Sequence, residues 1–288
     1  MDEDSIEQTD PADAFAALAD ATRVQILRAL WEADDKRATF SELREAVGMR
    51  DSGQFNYHLD KLAGQFLRKT DDGYELALAG RHVVGSLLEG AYASTDPIDP
   101  IALDEPCPFC DGARTFHYED EEVRIECEAC PAVAYFDVAP GVFAGYDRSE
   151  YPIVARRYLR VMLHEASNGL CPVCEGRFEP TVEKDAGRGE DTDVDLFPMA
   201  RYECVRCGEE MRTDLGTALL FEPEVIAFYT NHGVDIRDQP LAALIATDDE
   251  VRVEQTDPLC VAVTYTCRDD QLQLVVDDSL TVQQVDGE

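Results

Sequence analysis

From residue 11 to about 93 the apolar positions fall at helical spacing, interrupted once by an alternating stretch. Asp10-Pro11 opens a first helix, with proline at the first position, where a missing N–H is no loss. Asp20 caps a second, Ala21 to Ala33, whose inward stripe is Val24, Leu27, Leu30 and Trp31. Ser41 begins a short third helix that runs to Val47 and stops at Gly48. After a tight turn a fourth helix starts at Asp51 or Ser52 and continues to Gln65, burying Phe55, Leu59 and Leu62 at i, i+4 and i+7. Phe66 to Leu78 then alternates about Asp72-Gly73, a hairpin signal, and a fifth helix spans about Ala79 to Tyr92. Residues 94–106 carry three prolines and no helical period, which predicts a linker. Further on, helices are predicted over about Ser149 to Ala166 and Glu222 to His232, with a short third at Pro240 to Ala246. The tail from Glu250 to Val285 is strand-rich: Val251 to Glu254, Val261 to Tyr265, Leu272 to Val276 and Leu280 to Val282, with turns at Asp269-Asp270 and Asp277-Asp278.

Ten cysteines change the picture, because eight of them form two quartets of paired Cys-x-x-Cys turns. The first is Cys107, Cys110, Cys127 and Cys130, with 16 residues between its pairs; the second is Cys171, Cys174, Cys204 and Cys207, with 29. Such a turn points two thiolates at one ion, and two of them complete a tetrahedral site. The first spacing lies within the ~15–20 residues usual for zinc sites. The second is lengthened by a polar run from Glu183 to Asp195, which reads as an inserted loop. Both quartets resemble zinc ribbons, so two structural zinc ions are expected, with four thiolates leaving no open position for catalysis. A redox-active pair or an iron–sulfur cluster is the alternative. Cys260 and Cys267 stand singly in apolar strands and read as small buried hydrophobes, or else as a ligand or thiol sensor.

Charge narrows the setting. The chain has 25 Lys and Arg against 60 Asp and Glu, a formal net charge of −35, and only four lysines. The acids are spread along the whole length. In dilute buffer such a chain repels itself; at molar salt, where the Debye length is about 3 Å, the carboxylates mainly hold water. The composition therefore points to a salty cytoplasm, with an acidic binder of basic partners as the rival explanation. No apolar run approaches the ~18 residues of a membrane span, and the acidic amino terminus does not read as a secretory signal. A cytoplasmic location without membrane attachment is expected, a reducing setting in which close cysteine pairs are ligands more often than disulfides.

One stretch departs from the acidic background. Between Lys36 and Thr70 seven basic residues meet four acids, a local charge of +3, and three of the four lysines lie there. Within the fourth helix, a step of about 100° per residue turns Gln54, Tyr57 and Lys61 outward, with Asn56 and Asp60 on one flank and His58 on the other. Gln54 and Asn56 carry the paired donor and acceptor that read adenine, and Lys61 suits a phosphate or guanine. Ser52 at the helix start, and Arg68 and Lys69 at the base of the hairpin, complete the candidate DNA-binding set. The acidic tip, Asp71-Asp72, argues against a wing that grips phosphates by its end. The plain alternative is a solvated helix face.

Two helices joined by a tight turn and followed by a hairpin make a winged helix-turn-helix. The stretches Phe15 to Leu30, Phe40 to Gly48 and Gln54 to Leu62, leading into the hairpin, resemble the ArsR-type transcriptional regulators over about residues 11–93. The resemblance implies double-stranded DNA as partner, an archaeal source, and a homodimer paired through Phe15 and Leu18 with Val83, Val84, Leu87 and Leu88. Those same residues could instead close the domain core. Neither Ser41 to Val47 nor Asp51 to Gln65 contains a cysteine, so the metal sensing common among ArsR relatives is not expected.

Nothing argues for an enzyme. There is no P-loop, no G-x-G-x-x-G and no G-x-S-x-G, and His164-Glu165 lacks the second histidine of a metalloprotease helix. His117 and His232 have no partner at ligand spacing and read as satisfied histidines. The expected fold class is α+β. A winged helix-turn-helix (1–93) and linker (94–106) lead to a first zinc-ribbon-like module (107–140) and a connecting helix (141–170). A second ribbon-like module (171–220) and a small α/β region (221–288) follow. The expected function is a sequence-specific transcriptional regulator whose zinc-stabilised second half senses a ligand, dimerises or touches the transcription machinery. The rival is an interaction module of a transcription assembly that does not itself bind DNA.

Overall fold

The computed structural model describes residues 10–92, 97–183, 198–240 and 250–287. The chain forms two compact units, Met1–Ser94 with Ala139–Gly141, and Thr95–Val138 with Val142–Glu288. Both mix helices with small antiparallel sheets, the α+β class expected. The expected helix at Pro240 to Ala246 and most of the inserted loop fall outside the described residues.

The first unit opens with α1 (Pro11–Leu18), whose cap Asp10 accepts the Ala12 amide at 2.9 Å. In α2 (Ala21–Glu32) the Asp20 carboxylate accepts the Thr22 and Arg23 amides. Ile26, Leu27 and Leu30 are fully buried here, while Val24 and Trp31 are only half-buried. A short strand, β1 (Arg37–Ala38), precedes α3 (Phe40–Ala46). That helix begins one residue earlier than expected because Thr39 and Glu42 form a reciprocal capping box. Gly48, at a φ of 68°, turns the chain toward α4 (Ser52–Leu62), capped by Asp51. The helix ends at Leu62 because Ala63 is extended and Gly64 takes a φ of 87°. The hairpin is β2 (Leu67–Thr70) and β3 (Gly73–Leu76), and β1 joins it to give the order β1-β3-β2. The tip requires glycine: a methyl group on Gly73 would stand 2.4 Å from the Ala38 carbonyl oxygen. Finally α5 (Leu78–Glu89) ends at Gly90 in the left-handed region. Phe55, Leu59 and Leu62 are buried as the periodicity requires, packed with Leu43, Phe66, Leu67, Leu76 and Val84.

The second unit begins with a four-stranded meander, β4 (Ile101–Leu103), β5 (Arg114–Glu119), β6 (Glu122–Cys127) and β7 (Val133–Asp137), in that order across the sheet. Part of the expected linker is therefore an edge strand: Ile101 pairs with Phe116 and Leu103 with Arg114. Helix α6 (Tyr151–Ser167) follows, then a three-stranded sheet of β8 (Phe178–Glu183), β9 (Met199–Cys204) and β10 (Glu210–Asp214). Two short helices, α7 (Leu215–Ala218) and α8 (Pro223–Asn231), lead to a second meander. It consists of β11 (Val251–Thr256), β12 (Leu259–Cys267), β13 (Asp270–Asp277) and β14 (Val282–Gly287). The last strand starts later than expected because Leu280 lies in the turn, at a φ of 59°. Val154 and Ala155 of α6 pack with Phe116, Tyr118 and Val123 under the first sheet. Ala166, at the other end of α6, belongs to a larger core with α7, α8 and the last meander.

Candidate metal centres and nucleic-acid interface

Each quartet is assembled by the ends of one small sheet. In the first, Cys107 and Cys110 lie in the loop before β5, Cys127 ends β6 and Cys130 follows it. In the second, Cys171 and Cys174 precede β8, Cys204 ends β9 and Cys207 follows it. Within each quartet all four sulfurs fall within 4.8 Å of one another. Cys107 and Cys130 Sγ are 3.7 Å apart and Cys110 and Cys127 3.5 Å; the second quartet repeats this, with Cys171 to Cys207 at 3.7 Å and Cys174 to Cys204 at 3.5 Å. Four sulfurs held at about 2.3 Å from a tetrahedral ion stand about 3.8 Å from each other. A disulfide would need ~2.05 Å, and all ten cysteines are free thiols. Both quartets are thus positioned to hold a metal ion.

The local backbone is built for the same purpose. The Cys107 amide donates to the Gly112 carbonyl and the Cys171 amide to the Gly176 carbonyl, each at 2.9 Å, closing equivalent turns. Asp111 and Glu175 both adopt a φ of 57° inside them. Amides also donate to sulfur: Ala129 to Cys127 Sγ at 3.4 Å, and Arg206 and Cys207 to Cys204 Sγ at 3.4 and 3.5 Å. The Ala129 amide is the foremost cause that brings Cys127 down to about 7. The Cys207 amide, with that of Arg206 behind it, brings Cys204 to about 6. Such donors favour the thiolate, the form that binds metal, at Cys127 and Cys204, while Cys110, Cys130, Cys171 and Cys207 of the same crowded quartets are pushed up.

Two site residues escape the cysteine spacing. A methyl group on Gly112 would stand 3.0 Å from Cys127 Sγ and 3.2 Å from Cys110 Sγ, and on Gly176 3.0 Å from Cys174 Sγ and 3.3 Å from Cys204 Sγ. Only glycine leaves both sulfurs in place. The signal was in the sequence, as a repeat longer than the cysteines alone: Cys107-Pro-Phe-Cys-Asp-Gly112 and Cys171-Pro-Val-Cys-Glu-Gly176.

On α4, the candidate DNA-reading residues Ser52, Gln54, Asn56, Tyr57 and Lys61 are all exposed, Tyr57 by 56%. His58 is buried, with Nδ1 3.7 Å from Asp20 Oδ1, so it lies against α2 and off the outward face. Lys61 Nζ sits 5.6 Å from the Tyr57 ring centroid. Asn56 donates to Asp60 Oδ2 at 2.9 Å, which occupies part of its amide. Arg68 and Lys69 are exposed on β2, yet strand pairing brings Glu75 between two of the basic residues, 3.1 Å from Arg37 and 4.0 Å from Arg68. Lys36 is likewise engaged, by the Trp31 carbonyl and over its ring. The charge available to a phosphate backbone is smaller than the residue count between Lys36 and Thr70 indicates.

The remaining singled-out residues resolve simply. Cys267 is buried and Cys260 half-buried in β12. His117 Nε2 lies 3.4 Å from Glu126, and His164 packs on the Phe221 ring at 4.8 Å. His232 Nδ1 faces the Phe228 carbonyl at 2.7 Å and Nε2 the Asp270 carboxylate at 2.8 Å. Of the residues carried over for pairing, Val84 is in the core, while Phe15 and Leu88 are 71% and 55% exposed, alongside Leu78 and Tyr92. No helix among the described residues is long and apolar enough to cross a membrane.

Two family models match the chain, one before and one after the break between residues 94 and 95. Residues 11–87 match the family model described as a domain of unknown function (DUF7347). Comparisons with curated proteins and with solved structures give no match. Residues 104–282, more than half of the chain and including both quartets, match a second model, also described as a domain of unknown function (DUF7351), so the chain belongs to the DUF7351 family.

Proposed function

We propose that this protein is a sequence-specific, double-stranded-DNA-binding transcriptional regulator of a halophilic microbe. In this reading the first unit is a winged helix-turn-helix of the ArsR type, and the second is stabilised by two zinc ribbons. One observation carries it: α4 keeps an exposed row of Gln54, Tyr57 and Lys61 on a helix fixed from behind by Phe55, Leu59 and Leu62. A recognition helix needs that combination of a rigid buried side and an outer side with base-reading and phosphate-reading groups. Ser52, Asn56, Arg68 and Lys69 flank the row. Dimerisation through the exposed side chains of α1 and α5, Phe15, Leu87 and Leu88, would present two such helices to an inverted repeat. Zinc is the metal that four thiolates in a tetrahedron suit best, and a closed four-sulfur site serves folding.

A second reading has its own support. Glu75 between Arg37 and Arg68, and the acidic tip Asp71-Asp72, favour an interaction module that has no use for phosphates. Binding of fragmented genomic DNA to the full, zinc-loaded chain in molar potassium chloride, followed by sequencing, separates the two. Enrichment of a short inverted repeat, lost when Tyr57 and Lys61 are both changed to alanine with the circular dichroism spectrum unchanged, is the expected result. No enrichment by folded protein would remove the DNA-binding reading in favour of the interaction module.

A further inference from the structure

Among the described residues no strand pairs with the outer side of β7, and such open sheet edges are normally blunted by charge, proline, bulges or shortness. Among the described strands the other edges follow that rule. β2 carries Arg68 and Lys69; β1 and β4 have two and three residues; β8 contains Pro180; β10 holds Glu210, Arg212 and Asp214. β11 and β14 are interrupted by register shifts. β7 is five residues long, has no proline and no bulge, and carries a single charge, Asp137 at its end. Its sequence is Val133-Ala-Tyr-Phe-Asp137, preceded by Cys130-Pro-Ala132, so in a chain with 60 acids eight residues from Ala129 to Phe136 carry no charge. These side chains are not buried in the unit: Val133 is 47% exposed and Tyr135 70%, and Ala134 is exposed as well.

The backbone shows which groups point out. The Cys127 amide donates to the Ala132 carbonyl and the Val138 amide to the Glu121 carbonyl, so residues 132 and 138 turn toward β6. Because antiparallel pairing alternates, Ala134 and Phe136 also turn inward, and Val133, Tyr135 and Asp137 direct their N–H and C=O groups away from the sheet.

We infer that β7 is a self-pairing edge, whose occupant is β7 of a second copy of this chain, antiparallel and centred on Ala134. The sequence is self-complementary in this register. Val133 of each copy faces Tyr135 of the other, giving two β-branched–aromatic pairs that cover the two most exposed side chains of the strand. Ala134 faces Ala134 across the two-fold axis, and the bulky Phe136 faces the small Ala132. All three outward amides find acceptors: Val133 and Tyr135 donate to each other's carbonyls, and the Asp137 amide donates to the carbonyl of Pro131, which has no N–H to leave unmet. The only charged residues of the strand, the two Asp137 side chains, end about 20 Å apart, six positions at ~3.4 Å. That is well beyond the ~3 Å Debye length of molar salt. Centring on Tyr135 would also align the outward amides, but it sets Asp137 against Val133 and leaves no aromatic–β-branched pair. The product is one continuous eight-stranded sheet, within the ordinary range.

This inference does not depend on DNA binding, and its test leaves α1 and α5 untouched, so failure of one does not imply failure of the other. In full-length, metal-loaded protein at molar potassium chloride, with oxidised glutathione added as the two-electron oxidant, Ala134→Cys should form an intermolecular disulfide rapidly. The facing Cα atoms of such a pair lie ~4.5 Å apart, within disulfide range. Asp137→Cys should link far more slowly. Hydrogen exchange at the Val133, Tyr135 and Asp137 amides should be slowed at least roughly tenfold relative to exposed amides. That protection should be lost in Tyr135→Lys and kept in Tyr135→Phe, with metal content unchanged in both. Val133→Pro, which removes an outward N–H without touching the β6 ladder, should abolish the Ala134→Cys link. If Ala134→Cys links no faster than Asp137→Cys, or if the three amides of concentrated wild-type protein exchange as exposed amides do, β7 is not self-paired.

Discussion

Replacing Gly112 by alanine tests whether the cysteine quartets are metal centres whose geometry the backbone fixes. The added methyl would meet Ala129 Cβ at 2.7 Å, Cys127 Sγ at 3.0 Å and Cys110 Sγ at 3.2 Å. Comfortable contacts between such atoms begin near 3.5 Å, so overlap of several tenths of an ångström must be relieved in three directions together. In a metal-free site the thiols would rotate away. With a metal bound, two of the three neighbours are held at about 2.3 Å from the ion, and strain falls on the metal–sulfur bonds. Overpacking of this kind costs about 1–3 kcal/mol. Because it is relieved when the ion leaves, it should appear almost entirely as weakened binding, by about 5- to 150-fold. Gly176→Ala meets 3.0, 3.1 and 3.3 Å contacts, with none as short as the 2.7 Å contact at Gly112, and should lose less. A zinc-loaded chain titrated with a competing chelator gives the comparison directly, with metal release followed by a dye. Gly112→Ala should release one of its two ions at clearly lower chelator concentration. Release indistinguishable from wild type would mean that the sulfurs are not tied to a common ion.

Three other outcomes are expected. His232 donates to two acceptors at once only when doubly protonated, and its pKa is raised, first by Asp270 and then by the Phe228 carbonyl. The resulting stability is fully present below the ordinary histidine value of about 6.5 and is lost as pH rises through the higher folded value. Its NMR titration midpoint should lie above 6.5 and drop in Asp270→Asn; a midpoint at or below 6.5 in wild type would refute this. Phe55 is fully buried and packs edge-on against Phe40 at 5.0 Å, so Phe55→Ala should cost about 3–5 kcal/mol in denaturant unfolding of the first unit, and a loss under 1 kcal/mol would contradict the core. Gly85 lies inside α5 with nothing within 4 Å of an added methyl, so Gly85→Ala should stabilise by about 0.5–1 kcal/mol in the same assay.

Helix starts in the first unit were legible because their signals are local: aspartates before α1, α2 and α4 cap them, and Gly48 ends the third helix, whereas the apolar period carried the expected fourth and fifth helices past Gly64 and Gly90, where the chain in fact turns. The quartets were legible because paired cysteines at this spacing have few other uses. What escaped was non-local. Ile26 lies beside the apparent stripe of α2, but it is sealed by residues that only the fold brings near. Glu75 falls outside the window in which charge was counted, and the ladder sets it opposite both Arg37 and Arg68. The third strand of the first sheet is two residues long, too short to have a period. Gly112 and Gly176 were readable, since each follows its Cys-x-x-Cys by two residues, but glycine after a turn has many explanations until the distance to sulfur is known.

The two quartets differ in what stands behind them. Cys171 and Cys204 are themselves members of the larger core, together with Tyr202, Leu215, Tyr265 and the inner side of the last meander. In the first quartet only Cys107 is buried, and none of the four belongs to the core beneath their sheet, which is made by Phe116, Tyr118, Val123 and the start of α6. The first ion would therefore act as a clip: its departure frees a loop and the ends of two strands while the sheet keeps its own packing. The second would act as a keystone, because losing it opens a side of the interior on which α7, α8 and the carboxy-terminal sheet all rest. Chelation should then melt the molecule in a fixed order, with a shallow local loosening followed by one cooperative collapse.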